Sequence, residues 1–248
     1  MARRKYIVGN WKMNGSLSAL AELDAIAAQA AGATATVAIC PPATLIAPAA
    51  ARQPGLIIGG QDCHWNASGA HTGCLSAQML IEAGARMVIV GHSERRTDNG
   101  ETSAEVRKKA EAALAAGLIT ILCVGEIRAE RESGWAIATV ERQLEDSLPA
   151  PQHLDRLIIA YEPVWAIGTG LTPTVADVAE MHGAIRGFLG ARYGTVGQDI
   201  SILYGGSVNG DNAAELLGTA DVDGALVGGA SLTAAKFAPI VAVTVPPA

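Results

Sequence analysis

Eight short runs of β-branched and aliphatic residues, each separated from the next by a helical pattern, constrain the fold of this 248-residue chain more than any other feature. They occupy residues 6–8, 36–39, 56–59, 87–90, 119–124, 157–160, 200–203 and 224–227. Each run is continuously apolar, as strands are when both faces of a parallel sheet are covered. The intervening segments carry the helical period: from Glu101 onward Val106, Ala110, Ala113 and Leu114 fall on one face, and Gly117 marks a stop. Strand–helix units repeated eight times, with no Pro/Gly/Ser-rich linker between them, predict one closed (β/α)8 barrel over residues 1–248, of class α/β, with eight parallel strands ringed by helices. An open doubly wound sheet is the competing architecture. It carries a Gly-x-Gly-x-x-Gly turn after its first strand, and Gly9-Asn10-Trp11-Lys12-Met13-Asn14-Gly15 lacks that spacing.

The formal charge of −6 argues against a nucleic-acid surface but leaves room for a small anionic ligand, for which one lysine and a few aimed N–H groups suffice. Met1-Ala2-Arg3-Arg4-Lys5 has the look of a signal n-region, yet the apolar run after it is only Tyr6-Ile7-Val8, so no secretion signal is expected. No apolar segment is long enough for a membrane span, and the chain reads as cytoplasmic. Cys40, Cys63, Cys74 and Cys123 form no Cys-x-x-Cys pair and read as reduced thiols. Cys63, His64, His71 and Cys74 have zinc-type side chains, but their spacing matches no finger or ribbon, so no metal is expected.

In a parallel barrel, chemistry is built at the C-terminal ends of the strands. Just beyond the first run stand Asn10 and Lys12; beyond the fourth, His92, Ser93 and Glu94; beyond the sixth, Glu162. The seventh is followed by Gly205, Gly206 and Ser207, and the eighth by Gly228 and Gly229. One rim thus collects a cation, an imidazole, a carboxylate and two glycine-rich turns whose N–H groups can approach a phosphate closely. Taken singly, each has a blander reading: a solvated lysine, a structural histidine, a surface carboxylate, a tight turn. Glu162 follows four apolar residues and precedes Pro163, a setting where desolvation can raise a carboxylate's pKa. Gly91-His92-Ser93-Glu94-Arg95 is no nucleophile elbow, because Arg95 stands where the closing glycine belongs.

Five segments together closely resemble the triosephosphate isomerase family, and the likeness runs from Tyr6 to Leu232. They are Gly9 to Gly15, Gly91-His92-Ser93-Glu94-Arg95-Arg96, Tyr161-Glu162-Pro163-Val164-Trp165-Ala166-Ile167-Gly168-Thr169-Gly170, Tyr204-Gly205-Gly206-Ser207-Val208 and Leu226-Val227-Gly228-Gly229-Ala230-Ser231-Leu232. That family is itself the type example of this barrel and of pKa tuning, so the roles below are implied by resemblance. It implies a TIM barrel that interconverts dihydroxyacetone phosphate and D-glyceraldehyde 3-phosphate by proton transfer through an enediolate-like intermediate, a step of glycolysis and gluconeogenesis. Glu162 would be the base, with neutral His92, cationic Lys12 and Asn10 stabilising charge on oxygen. Gly168, Ser207, Gly228 and Gly229 would hold the phosphate alongside Asn10 and Lys12. Residues 163–175 would form a lid that excludes water. No cofactor is implied. A homodimer is, through the loop from Gly69 to Ser76.

The chain departs from the family's usual residues at Leu171 and Pro173 in the lid, and at His71 and Cys74 in the loop. Cys74 stands for a usual glutamate and offers Arg95 no carboxylate; Pro173 offers Tyr204 no backbone N–H. Two other functions compete with the isomerase. A paralogue acting on a tetrulose phosphate would keep Lys12, His92 and Glu162 and differ in pocket size. A catalytically dead sugar-phosphate binder would have lost one of them, and none is lost.

Overall fold

The computed structural model describes residues 3–167 and 173–246. Its strands are β1 (Tyr6–Asn10), β2 (Thr36–Cys40), β3 (Ile57–Gly60), β4 (Met87–Val90), β5 (Ile119–Val124), β6 (Leu157–Tyr161), β7 (Ser201–Tyr204) and β8 (Gly224–Val227). Every strand pairs in parallel with its sequence neighbours, and β8 pairs with β1 to close the barrel. All eight apolar runs of the sequence are strands, with no end displaced by more than two residues. Their uniform hydrophobicity has the expected cause. Val8, Ile89, Ile121, Ile158 and Leu203 fill the barrel interior, while the alternate residues Ile7, Val88, Leu122, Ile159 and Ile202 pack under the helices.

The helix Ser103–Ala115 shows how the outer layer is specified. Thr102 and Glu105 form a capping box, Val106, Ala110, Ala113 and Leu114 are buried, and Gly117 stops the chain at φ 95°. Lys109 lies in the same buried stripe, against the sequence expectation for a lysine. Its Nζ bonds Asp62 at 2.8 Å and Glu101 at 2.5 Å, and Arg95 bonds the same two carboxylates. Burial raises the Asp62 pKa, and Lys109 pulls it back. Arg95 therefore already has two carboxylates within its own chain, so the absence of one at Cys74 does not leave it unpaired. Among the described residues no helix is long and apolar enough to cross a membrane, and no three His, Cys, Asp or Glu side chains are grouped to hold a metal ion.

His182, in the helix Val175–Tyr193, is buried with Nδ1 3.0 Å from the Asp221 carbonyl, to which it donates, and with Nε2 unpartnered among the described residues. Burial lowers its pKa from 6.5 to about 4. A histidine with a depressed folded pKa binds fewer protons than the unfolded chain, so stability falls as pH drops through the window between the two values. Going from pH 7 to pH 5 should cost about 2 kcal/mol from this group alone. Urea midpoints at the two pH values measure it, and in His182→Phe this part of the difference should vanish. An undiminished difference in that variant would assign the acid sensitivity elsewhere.

Candidate active site

At the C-terminal mouth of the barrel lies a cavity of about 370 Å³, walled by Asn10, Lys12, His92, Glu162, Ser207, Gly228 and Gly229 among others. The structure thus brings together every site residue named from the sequence except Gly168, which lies outside the described residues, as does Leu171. Asn10 ends β1, Glu162 directly follows β6, and Gly228 directly follows β8. The barrel's closure is what gathers residues more than 200 positions apart.

Glu162 is 1 % exposed and takes three donors. His92 Nε2 and Ser93 Oγ each lie 3.0 Å from Oε1, and Ser93 N lies 3.0 Å from Oε2. Burial pushes the carboxyl pKa up, as expected from its apolar approach, but His92 and the two Ser93 donors outweigh it and hold the group below its ordinary value. The carboxylate is therefore ionised but fully engaged. Its backbone is equally fixed: a Cβ on Gly125 would come within 1.7 Å of the Glu162 carbonyl oxygen, so only glycine lets β5 run on beside it.

On the His92 ring, Nδ1 accepts from Glu94 N at 3.2 Å and Nε2 faces Glu162 at 3.0 Å. A ring nitrogen that accepts carries no proton, so this pattern assigns a neutral imidazole whose single N–H is on Nε2. In the free site that N–H is held by Glu162 Oε1, and both residues line the cavity where a ligand oxygen can take it over.

Lys12 adopts a left-handed backbone at φ 51°, a strained choice for a lysine. Three contacts fix it: Lys12 N donates to Asn10 Oδ1 at 3.0 Å, Gln61 Nε2 donates to Lys12 O at 2.9 Å, and Nζ meets Glu94 Oε1 at 2.5 Å. Gln61 also donates to the Cys40 carbonyl at 2.9 Å, tying the turn to β2. The Gly228 turn stands beside Lys12: an ideal Cβ there would be in ordinary van der Waals contact with Lys12 Cε, at 3.6 Å.

The strand-end survey of the sequence missed Gln61, which follows β3, and Glu126, which follows β5 by two residues. Glu126 is buried; Tyr161 Oη and Trp165 Nε1 donate to its Oε1 at 3.0 and 2.8 Å, and burial raises its pKa. It anchors the start of the segment after β6. Ser93, set aside as a nucleophile, is instead the partner of Glu162. Their position at strand ends was the available signal in all three cases.

Comparison with known proteins gives one answer along the whole chain. The family model for triosephosphate isomerase matches residues 5–244. The triosephosphate isomerase of Ruegeria sp. strain TM1040 is 56% identical over 239 residues, covering 96% of this chain and 97% of its own. That of Xanthobacter flavus is 58% identical over 237 residues, 95% of each chain. The crystal structure of triosephosphate isomerase from Bartonella henselae superposes with a TM-score of 0.91 at 49% identity, covering 97% of this chain and 98% of that one.

Proposed function

The chain belongs to the triosephosphate isomerase family, and from that premise we propose that Glu162 carries the proton between the two substrate carbons while His92, Lys12 and Asn10 hold the charge that develops on oxygen. It is an isomerase, an intramolecular oxidoreductase that interconverts dihydroxyacetone phosphate and D-glyceraldehyde 3-phosphate. The observation that carries the assignment of roles is the buried Glu162 carboxylate, ionised and 3.0 Å from a neutral His92 Nε2–H.

In the free site the three donors on Glu162 make it a weak base. A substrate carbonyl that takes over the His92 N–H releases one of them, and displacement of the carboxylate from Ser93 releases the other two. Burial, until then outweighed, raises the basicity of the freed carboxylate at the moment it must accept a proton. The proton leaves one carbon and the electron pair moves to the adjacent carbonyl oxygen as the enediolate forms; the hydroxyl proton then passes from the first carbon's oxygen to the second's at His92, and Glu162 returns the carbon proton to the second carbon as the first becomes the carbonyl. Lys12 and His92 are preorganised donors for that oxygen, so little reorganisation accompanies the charge shift. Ser207, Gly228, Gly229 and, outside the described residues, Gly168 bind the phosphate. Isomerisation in deuterated water tests the proton route: deuterium should enter the product at the carbon that receives it, and complete absence of label would point to direct hydride transfer instead.

Three further parts of the reading are proposals. The chain forms one barrel domain over residues 1–248. It works as a homodimer, supported by exposed Met13 and Leu17 after β1 and exposed Leu75 and Met79 near the loop from Gly69 to Ser76. It acts in the cytoplasm, in keeping with free thiols at Cys40, Cys63, Cys74 and Cys123.

Tyr204 bears on the lid. Its Oη is buried with no hydrogen-bond partner among the described residues, and a Cβ on Gly206 would come within 2.2 Å of it. Proline at 173 has no N–H to offer it. Tyr204→Phe should accordingly change kcat/KM by less than about threefold here, but cost up to about tenfold in a Pro173→Ala background, the worth of one neutral hydrogen bond. Equal damage in both backgrounds in a double-mutant cycle would give the hydroxyl another partner.

A further inference from the structure

The guanidinium of Arg96 is half-buried and donates to four neutral acceptors. Nε donates to the Gly91 carbonyl at 2.8 Å, Nη1 to Ser103 Oγ at 3.1 Å, and Nη2 to the Cys123 carbonyl at 3.1 Å and Ser147 Oγ at 3.2 Å. No carboxylate accepts from it among the described residues, unlike Arg95 beside it, which has two. Removing a cation from water without a counter-ion is costly, and burial indeed lowers the Arg96 pKa. A neutral side chain could bridge these acceptors at lower cost, so the charge itself calls for a reason.

Position supplies one. Gly91 immediately precedes His92 and Ser93, the two residues that donate to Glu162. Cys123 lies near the end of β5, in register with Ala160 two residues before Glu162. Arg96 and Glu162 both line one chamber of about 90 Å³, together with Ser93 and Gly125. We propose that Arg96 is a positioning residue for the proton transfer: it clamps the Gly91–Ser93 turn, and its unpaired charge in the same chamber keeps the Glu162 carboxylate ionised before substrate arrives. This rests on the reading of Glu162 as the base. The other groups facing Glu162 are His92, neutral by its hydrogen bonds, and the Cys123 thiol, which burial keeps protonated; Lys12 and Glu94 lie beyond His92 and pair with each other.

The test follows the Glu162 carboxyl by carbon NMR in full-length protein labelled at glutamate Cδ, its resonance assigned by absence in Glu162→Gln, alongside kcat and KM against pH. Arg96→Gln should raise the carboxyl midpoint by about one pH unit, with the acid limb of kcat moving in step and KM within about threefold. Arg96→Lys should bring the midpoint back to within about 0.3 unit of wild type, since it restores the charge without the fork of donors. Ser103→Ala and Ser147→Ala each remove one anchoring bond and keep the charge; they should lower Tm and leave the midpoint alone. The proposal is overturned by a folded Arg96→Gln with an unmoved midpoint, or by Arg96→Lys with a midpoint raised as far as one unit. The second outcome decides the matter if Arg96→Gln does not fold. Failure of the base assignment is separately visible: Glu162→Gln would then stay active, whereas an inactive Glu162→Gln with an unmoved Arg96→Gln midpoint refutes only the role of Arg96.

Discussion

Glu162→Gln is expected to lower kcat by at least about a hundredfold, with KM within a few-fold of wild type and the fold intact. The amide matches the carboxylate in shape, so its carbonyl oxygen can keep the Ser93 N–H bond seen at 3.0 Å and the barrel packing is undisturbed. What it cannot do is accept the proton. KM should hold because the proposed phosphate contacts come from the glycine turns after β7 and β8, which the substitution leaves unchanged. Steady-state assay with dihydroxyacetone phosphate, together with circular dichroism to confirm folding, decides it: a folded variant retaining more than about a tenth of wild-type turnover would refute the base assignment. The same substitution has a linked effect on stability. Since the folded Glu162 pKa lies below its unfolded value, the ion stabilises the protein above that value and the contribution is lost as pH falls through the folded one. Glu162→Gln should flatten that acid decline.

Much of this architecture was legible in the sequence because a barrel buried on both faces leaves a mark that period alone can read. Residues 87–90 and 157–160 are uninterrupted apolar runs, and both are strands. Strand ends then located Asn10, Lys12, His92 and Glu162 without any contact being known. What the sequence hid were interactions that depend on which side chains meet across the mouth. Gln61 reaching the Lys12 carbonyl, Arg96 joining the ends of β4 and β5, and Lys109 buried between two carboxylates all pair residues 27 to 49 positions apart, or link separate elements, through long side chains with several rotamers. The net acidity of Glu162 was hidden for the same reason: its apolar approach pointed to a raised pKa, and only the placement of Ser93 N, Ser93 Oγ and His92 Nε2 reverses the sign.

Lys12→Met should prove at least as damaging, and in a different pattern. Lys12 is the only lysine or arginine among the described residues that wall the active-site cavity, in a chain of net charge −6 that must bind a phosphate carrying up to two negative charges. Its ammonium sits between the two places where negative charge appears, beside His92 through Glu94 on one side and beside the Gly228 turn on the other. Methionine keeps most of the stem's length and removes the charge. A hydrogen bond to a charged group is worth about 1.5–3 kcal/mol, or roughly tenfold to a hundredfold each. Loss of the phosphate contact is paid in KM, and loss of the contact to the developing oxyanion in kcat, so kcat/KM should fall by about a thousandfold or more with both parameters affected. One complication is that Glu94, 3.7 Å from His92 Nδ1, then loses its cation. Lys12→Met combined with Glu94→Gln removes that anion and isolates the part of the loss that belongs to the ammonium itself. If the single variant kept kcat/KM within about tenfold of wild type, Lys12 would be no more than a solvated lysine held in a strained turn, and the backbone N–H groups of the glycine turns would have to carry the phosphate alone.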